Sequence, residues 1–203
     1  MESEPAGGML DLNEYRDKIY PRVFLVEELR LALGEDADIA MDFPVRKEWL
    51  GGLALGYVID RGERFTFISK RHLDGQLTVE EMDAIAQANF VRDFEFRVVE
   101  TIFGGFALTG AADHCATALF VGATWKPVVD HFGKDLVVAF PGYDLLFLTP
   151  ADDEEGITNL KIELYKIQGM GIEKPLKDYL FLYKKDEQVW SLMEDLGEEW
   201  FIH

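Results

Sequence analysis

The stretch at residues 135–149, DLVVAFPGYDLLFLT, decides the fold. Two apolar runs, Leu136–Phe140 and Leu145–Leu148, flank the turn-forming pair Pro141-Gly142. Runs this short and this rich in valine, leucine and phenylalanine predict two buried strands joined by a tight connection. A strand pair this apolar needs cover on its faces, so we expect the rest of the chain to supply helices and further strands around it.

The strands predicted outside this pair come mostly as neighbours along the chain, with helical segments between them. Alternating or β-branched runs predict strands at 53–59, 64–68, 94–101, 103–109, 117–121, 179–183 and 189–193. Apolar residues at spacings of three and four predict helices at 9–34, split near Pro21, and at 78–90, 124–132 and 152–169. This order is typical of an α+β fold with an antiparallel or mixed sheet covered by helices.

Two helix starts carry specific signals. Thr78-Val-Glu-Glu81 has the spacing of a capping box, in which the Thr78 hydroxyl and the Glu81 carboxylate bond reciprocally to backbone amides. Pro127 is expected in the first turn of its helix, where a missing N–H does no harm.

We expect one domain with decorated ends. Residues 1–8 are predicted to be disordered, and residues 9–203 form the single α+β domain. Within it, residues 9–42 are expected to be a helical N-terminal extension and acidic linker, residues 43–167 the core, and residues 168–203 a strand pair with an acidic, aromatic tail.

The charge is strongly unbalanced, with 20 Lys and Arg against 38 Asp and Glu and a formal net charge of −18. Such a surface repels nucleic acid phosphates and anionic membranes, so we expect neither as a direct partner. It suits a basic protein partner, because complementary charge speeds encounter and disfavours wrong partners. Negative charge that merely keeps the chain soluble is the simpler alternative.

The single cysteine, Cys115, cannot form an internal disulfide, which fits a reducing compartment. The N-terminus lacks a basic region followed by an apolar one, so no signal peptide is predicted. No apolar run approaches the roughly 18 residues that span a bilayer. We therefore expect a cytoplasmic protein.

The order of segments resembles a bacterial family. LGGLALGYVID, RFTFIS, TVEEMDAIAQANF, ATALF and WKPVVDHFGKDLVVAFPGYDLLFLTPADDEEGITNL resemble the YtpQ-like domain family of unknown function. The unit from Val137 to Asp144, a strand followed by Pro-x-x-Asp and a second strand, carries the likeness best. The resemblance covers about residues 43–164 and implies a fold, but no catalytic residues. Gly104–Phe106 and the tail beyond Gln168 depart from it.

No recognisable catalytic set stands in the sequence. Asp113-His114-Cys115 joins an acid, an imidazole and a thiol, but adjacent residues on a strand point to opposite faces. The four histidines lack metal-ligand spacing, and the glycine pairs match no phosphate-binding loop, so neither metal nor cofactor is predicted. The enzyme or small-ligand alternative needs a site assembled from separated residues such as Arg46, His114 and Asp144.

The acidic groups favour a non-enzymatic module that binds another protein, in its sharpest form an immunity or inhibitor protein for a basic toxin or nucleic-acid enzyme. The binding surface is predicted from two acidic groups and an aromatic side chain, as found at interfaces: Asp152, Asp153, Glu154, Glu155, Glu194, Asp195 and Trp200. Simple solvation of each acidic group is one alternative. A homo-oligomer built through the tail Trp200-Phe201-Ile202 is another.

Overall fold

A computed structural model describes residues 10–34, 38–62, 64–73, 75–171, 176 and 179–195. These residues contain ten strands and six α-helices. The strands are β1 (Ile19–Leu25), β2 (Arg46–Glu48), β3 (Leu53–Asp60), β4 (Phe65–Phe67), β5 (Phe96–Glu100), β6 (Phe106–Gly110), β7 (Leu136–Ala139), β8 (Leu146–Pro150), β9 (Tyr179–Lys184) and β10 (Val189–Asp195). The helices are α1 (Val26–Leu33), α2 (Ile39–Asp42), α3 (Lys70–Leu73), α4 (Val79–Asp93), α5 (Gly122–Phe132) and α6 (Glu154–Met170).

The strands form two antiparallel sheets. The smaller has the order β1-β3-β2, with β4 also paired to β3, and the larger has the order β10-β9-β7-β8-β6-β5. The predicted pair of residues 135–149 becomes β7 and β8, which are buried at the centre of the larger sheet. The α+β class, with an antiparallel sheet covered by helices, is confirmed.

Both faces of the larger sheet are covered, as its apolar centre requires. On one face α6 packs against alternate strand residues, in a cluster that includes Val137, Ala139, Leu160, Leu164 and Leu180. On the other face Leu136 and Val138 share a core with α5 and with Val23, Leu25 and Leu53 of the smaller sheet. The two sheets therefore share one hydrophobic core.

The capping box at the start of α4 is confirmed. The Thr78 hydroxyl accepts from the Glu81 amide at 3.1 Å, and the Glu81 carboxylate accepts from the Thr78 amide at 2.9 Å. The helix then lays Met82 and Ala86 on the smaller sheet, where both are fully buried.

The predicted helical N-terminal extension is wrong for residues 19–25. All seven residues of β1 are buried and pair with β3 from Ile19↔Ile59 to Leu25↔Leu53. The run contains Ile, Tyr, Val and Phe, which suit strands, and complete burial overrides the helical spacing. Pro21 is tolerated because β1 lies at the end of its sheet. The helix is confined to α1 and stops at Gly34, as predicted.

Two smaller expectations also fail. Residues 117–121 do not form a strand, because Ala116–Phe120 is a 3₁₀ helix whose Thr117 hydroxyl accepts from the Val23 amide at 3.2 Å. The Thr117 side chain thus satisfies one backbone N–H at the edge of β1. Pro127 lies in the second turn of α5, since that helix begins earlier than expected, at Gly122.

Among the described residues, no helix combines the length and the apolar character that a membrane crossing requires. Residues 1–8, predicted to be disordered, and Trp200 of the predicted binding surface lie outside the described residues.

Candidate functional site

Strand β10 is an edge of the larger sheet. Within the described residues β9 is its strand neighbour, with the register Val189↔Lys184 to Asp195↔Tyr179. Val189, Leu192 and Met193 are 45%, 43% and 45% exposed. An edge strand presents backbone N–H and C=O groups without sheet partners, and here these groups lie beside exposed apolar side chains.

Trp190 anchors this edge to the core. Its ring lies 5.4 Å from that of Trp125 on α5, 4.8 Å from that of Tyr183 on β9, and 5.6 Å from that of Trp49. Aromatic pairs at such distances contribute beyond their buried area. The strand is therefore held in place from one face, while no further strand pairs with its other edge within the part of the chain that the structure describes.

The acidic end of β10 follows an irregularity. The pairing with β9 shifts between Leu192 and Glu194, which makes Met193 the extra residue of a bulge. Bulges bend a strand and interrupt regular pairing. Regular pairing with a further strand is therefore expected over Val189–Leu192, and Glu194 and Asp195 follow after the bulged Met193.

The two predicted acidic groups lie at opposite ends of the larger sheet. Asp152–Glu155 follow Pro150. Pro150 pairs with Leu136, and Leu136 pairs on its other side with Tyr183. Asp195 is level with Tyr179 instead. Four residues of strand separate these levels, roughly 13 Å at the usual rise per residue. The structure therefore does not bring the two groups together.

Two of the acids after β8 have local roles. Asp152 pairs with Lys134 at 2.6 Å, and hydrogen bonding to this lysine lowers the pKa of its carboxyl. Asp153 caps α6, accepting from the Gly156 amide at 2.9 Å and from the Thr149 hydroxyl at 3.3 Å. Glu154 and Glu155 are exposed in the first turn of α6, where negative charge is favoured.

His114 lies in a closed aromatic pocket. It is 5% exposed, stacks on Phe94 at 4.1 Å, and its Nδ1 has no hydrogen-bond partner among the described residues. Burial and the nearby Arg22 lower its pKa to about 4, so the ring is neutral at pH 7. Arg22 itself lies between the rings of Phe65 and Tyr143 and donates to the Asp113 carbonyl at 3.2 Å.

Cys115 is not suited to nucleophilic chemistry here. It is 2% exposed, and its thiol donates weakly to the Ala111 carbonyl at 3.7 Å. Burial, with a smaller contribution from Asp144, raises the pKa of the thiol to about 11, whereas reactive thiols have a lowered pKa.

Arg46, which the separated-site alternative combines with His114 and Asp144, has its own partners. It pairs with Glu48 at 2.9 Å and lies over the Phe43 ring at 4.4 Å. Arg46 lies on β2 and pairs with Gly56 of the central strand β3. Arg22 of β1 pairs with the same glycine from the other side of β3. Within the described residues, no group of three or more His, Cys, Asp and Glu side chains could hold a metal ion.

Sequence reasoning missed two residues. Arg22 is the one charged residue of the run IYPRVFL. Charged side chains are rarely buried without specific partners, so a lone charge inside an apolar strand indicates that such partners exist. Trp125 lies in the predicted helix 124–132, and no signal in the sequence shows that its indole N–H has no partner among the described residues.

No protein-family model, curated protein or solved structure matches this chain. The resemblance to the YtpQ-like family stays a prediction.

Proposed function

We propose that this chain is a non-enzymatic, cytoplasmic protein-binding module that adds an extended, basic segment of another protein to the edge of β10. The observation that carries the proposal is strand β10, which among the described residues has β9 as its one strand neighbour and which carries three exposed apolar side chains.

The composition of β10 supports this use. Natural edge strands are commonly blunted by lysine, proline or inward-facing charge. The strand VWSLMED has neither lysine nor proline, and Val189–Leu192 carry no charge. In strand addition, main-chain hydrogen bonds supply affinity and alternate side chains supply selectivity. The exposed Val189 and Leu192 lie on opposite faces of the strand, so each face of β10 offers one exposed apolar side chain to a partner.

Charge selects the class of partner. Glu194 and Asp195 end the strand, and the whole chain carries a formal charge of −18. A cationic segment is steered towards such a surface, and an anionic one is repelled. The acids after β8 are less suited to this partner, because Asp152 and Asp153 already bond within the chain.

An immunity or inhibitor role is the sharpest form of the proposal. Toxins and enzymes that act on nucleic acids carry basic surfaces, since they bind phosphates. An acidic module that covers such a surface blocks it by charge and by shape. The proposal needs no catalytic group, which agrees with the burial of His114 and Cys115.

The test uses a synthetic peptide of alternating lysine and valine, with a glutamate–valine peptide as the charge control. We expect Glu194→Gln with Asp195→Asn to weaken binding of the lysine peptide by about threefold to tenfold at low salt, the range for exposed ion pairs. The matched control, Glu154→Gln with Glu155→Gln, removes the same charge at the other end of the sheet and is expected to leave the affinity unchanged. Equal effects of the two variants, or equal binding of both peptides, would overturn the proposal.

A further inference from the structure

Strand β5 lies at the end of the larger sheet opposite to β10. Among the described residues β6 is its one strand neighbour, with the register Phe96↔Gly110 to Glu100↔Phe106. Its sequence FRVVE contains neither lysine nor proline, which commonly block an edge strand. The backbone is already extended at Phe94, where φ is −120° and ψ is 123°. A further strand can therefore pair with the chain from Phe94 onwards.

Side chains along this edge alternate between two environments. Phe94, Phe96 and Val98 are half-buried, and the residues between them, Glu95 and Arg97, are exposed on the opposite face. Within the described part of the chain, neither Glu95 nor Arg97 forms an ion pair. One charge of each sign is therefore available to a partner on the exposed face.

The order of these two charges is self-complementary. Two copies of an edge strand that are related by a two-fold axis perpendicular to the sheet run antiparallel and keep matching faces on the same side. When the axis passes through the Phe96 pair, Glu95 of each copy lies opposite Arg97 of the other. Opposite charges on directly opposed residues stabilise an antiparallel pair, and like charges destabilise it. Strand β10 lacks this property, because both of its charged residues are acidic.

A groove adjoins the half-buried side chains of this edge. It encloses about 490 Å³, and β5 and α5 supply part of its walls, including Phe94, Phe96, Val98, Pro127, Val128 and His131. Because the two-fold axis keeps faces matched, the apolar side chains of a second copy's edge would lie on the same side of the sheet as this groove. Shielding of its apolar walls from water favours association.

We propose that two copies of this chain pair through β5 in an antiparallel, two-fold symmetric dimer centred on Phe96. Main-chain hydrogen bonds join the two larger sheets, and the two Glu95–Arg97 pairs set the register. The formal charge of −18 opposes contact between copies, so the local pairs of opposite charge are needed at this edge. The dimer is independent of strand addition at β10.

The test is sedimentation velocity of the full chain over a series of concentrations, in about 0.15 M salt, where long-range repulsion is screened. We expect the parent to pass from monomer to dimer as its concentration rises. Glu95→Arg and Arg97→Glu each place like charges opposite one another twice, so each variant alone is expected to weaken the dimer about tenfold. An equimolar mixture of the two variants restores both opposite-charge pairs and is expected to dimerise as the parent does.

Glu155→Arg is the matched control, since it makes the same charge change on an exposed side chain of α6. This variant is expected to dimerise at least as well as the parent, and thermal denaturation shows whether each variant is folded. A parent that stays monomeric would overturn the proposal. Folded single variants that dimerise as well as the parent, or a mixture that dimerises no better than either single variant, would do so too.

Discussion

The rings of Trp49 and Trp190 pack edge to face, with their centroids 5.6 Å apart. This contact joins the segment between β2 and β3 of the smaller sheet to strand β10 of the larger one. Trp49 also contacts Phe181 at 4.7 Å and Phe120 at 4.9 Å, so the aromatic cluster is continuous with the core. A strand anchored in this way is preorganised, and preorganisation reduces the entropic cost of binding.

Trp190→Ala is therefore expected to remove both the anchor and the binding edge. We expect a loss of about 2–3 kcal/mol in the free energy of unfolding, less than for a fully buried tryptophan because Trp190 is only half-buried. Binding of the lysine–valine peptide should be lost as well. Trp190→Phe keeps a ring and should retain most of both. Chemical denaturation and peptide titration check the pair, and full peptide binding by the alanine variant would contradict the role of the anchor.

A lysine on the open edge should block a basic strand. Leu192→Lys puts positive charge beside the lysine side chains of an added strand, so we expect peptide affinity to fall at least tenfold with little change in the free energy of unfolding. Ile102, fully exposed in the β5–β6 connection, offers the matched control Ile102→Lys. Titration of both variants should separate them, and a similar loss in both would show that only net charge matters.

Because His114 is buried, the free energy of unfolding is expected to depend on pH in the acidic range. Its pKa is about 4 in the folded chain and 6.5 in a model peptide, so the unfolded chain binds the proton more readily. The parent is thus expected to lose up to about 3 kcal/mol between pH 6.5 and 4 through this residue, at about 1.4 kcal/mol per pKa unit.

Above pH 6.5 the ring is neutral in both states and contributes no such slope. The variant His114→Phe lacks the titration, so the parent should lose stability faster than the variant as the pH falls through this window. Urea denaturation at a series of pH values measures the difference. Parallel profiles would show that the imidazole is not held neutral by the fold.

Asp153 is expected to act in folding and not in binding. Asp153→Ala removes the cap of α6 and one partner of Thr149, and we expect a loss of about 1 kcal/mol in the free energy of unfolding. Glu154→Gln should cost much less, since that side chain is exposed. Thermal denaturation compares the two, and equal stabilities would argue against the cap.

The elements that the sequence predicts well are those with local causes. The Thr78–Glu81 capping box depends on four adjacent residues, and the β7–β8 pair depends on one short apolar stretch. Both are found as predicted. The stop of α1 at Gly34, where φ is 79°, has the same local origin.

The elements that the sequence misses depend on distant residues. β1 is a strand because β3 pairs with all of it, from Ile19↔Ile59 to Leu25↔Leu53, and the helical spacing of residues 19–25 carries no sign of this distant partner. The separation of the acids after β8 from those ending β10 likewise follows from sheet order. The position of β10 at the end of the described sheet is likewise a product of packing, which no single stretch encodes.

The most direct test of strand addition is amide hydrogen exchange of the full chain with and without the lysine–valine peptide. The account predicts that amides of Val189–Leu192 become more protected when the peptide binds. The amides of β5, the opposite edge of the same sheet, serve as the internal control and should not change. Protection at β5 alone, or binding without any added protection in β10, would contradict the account.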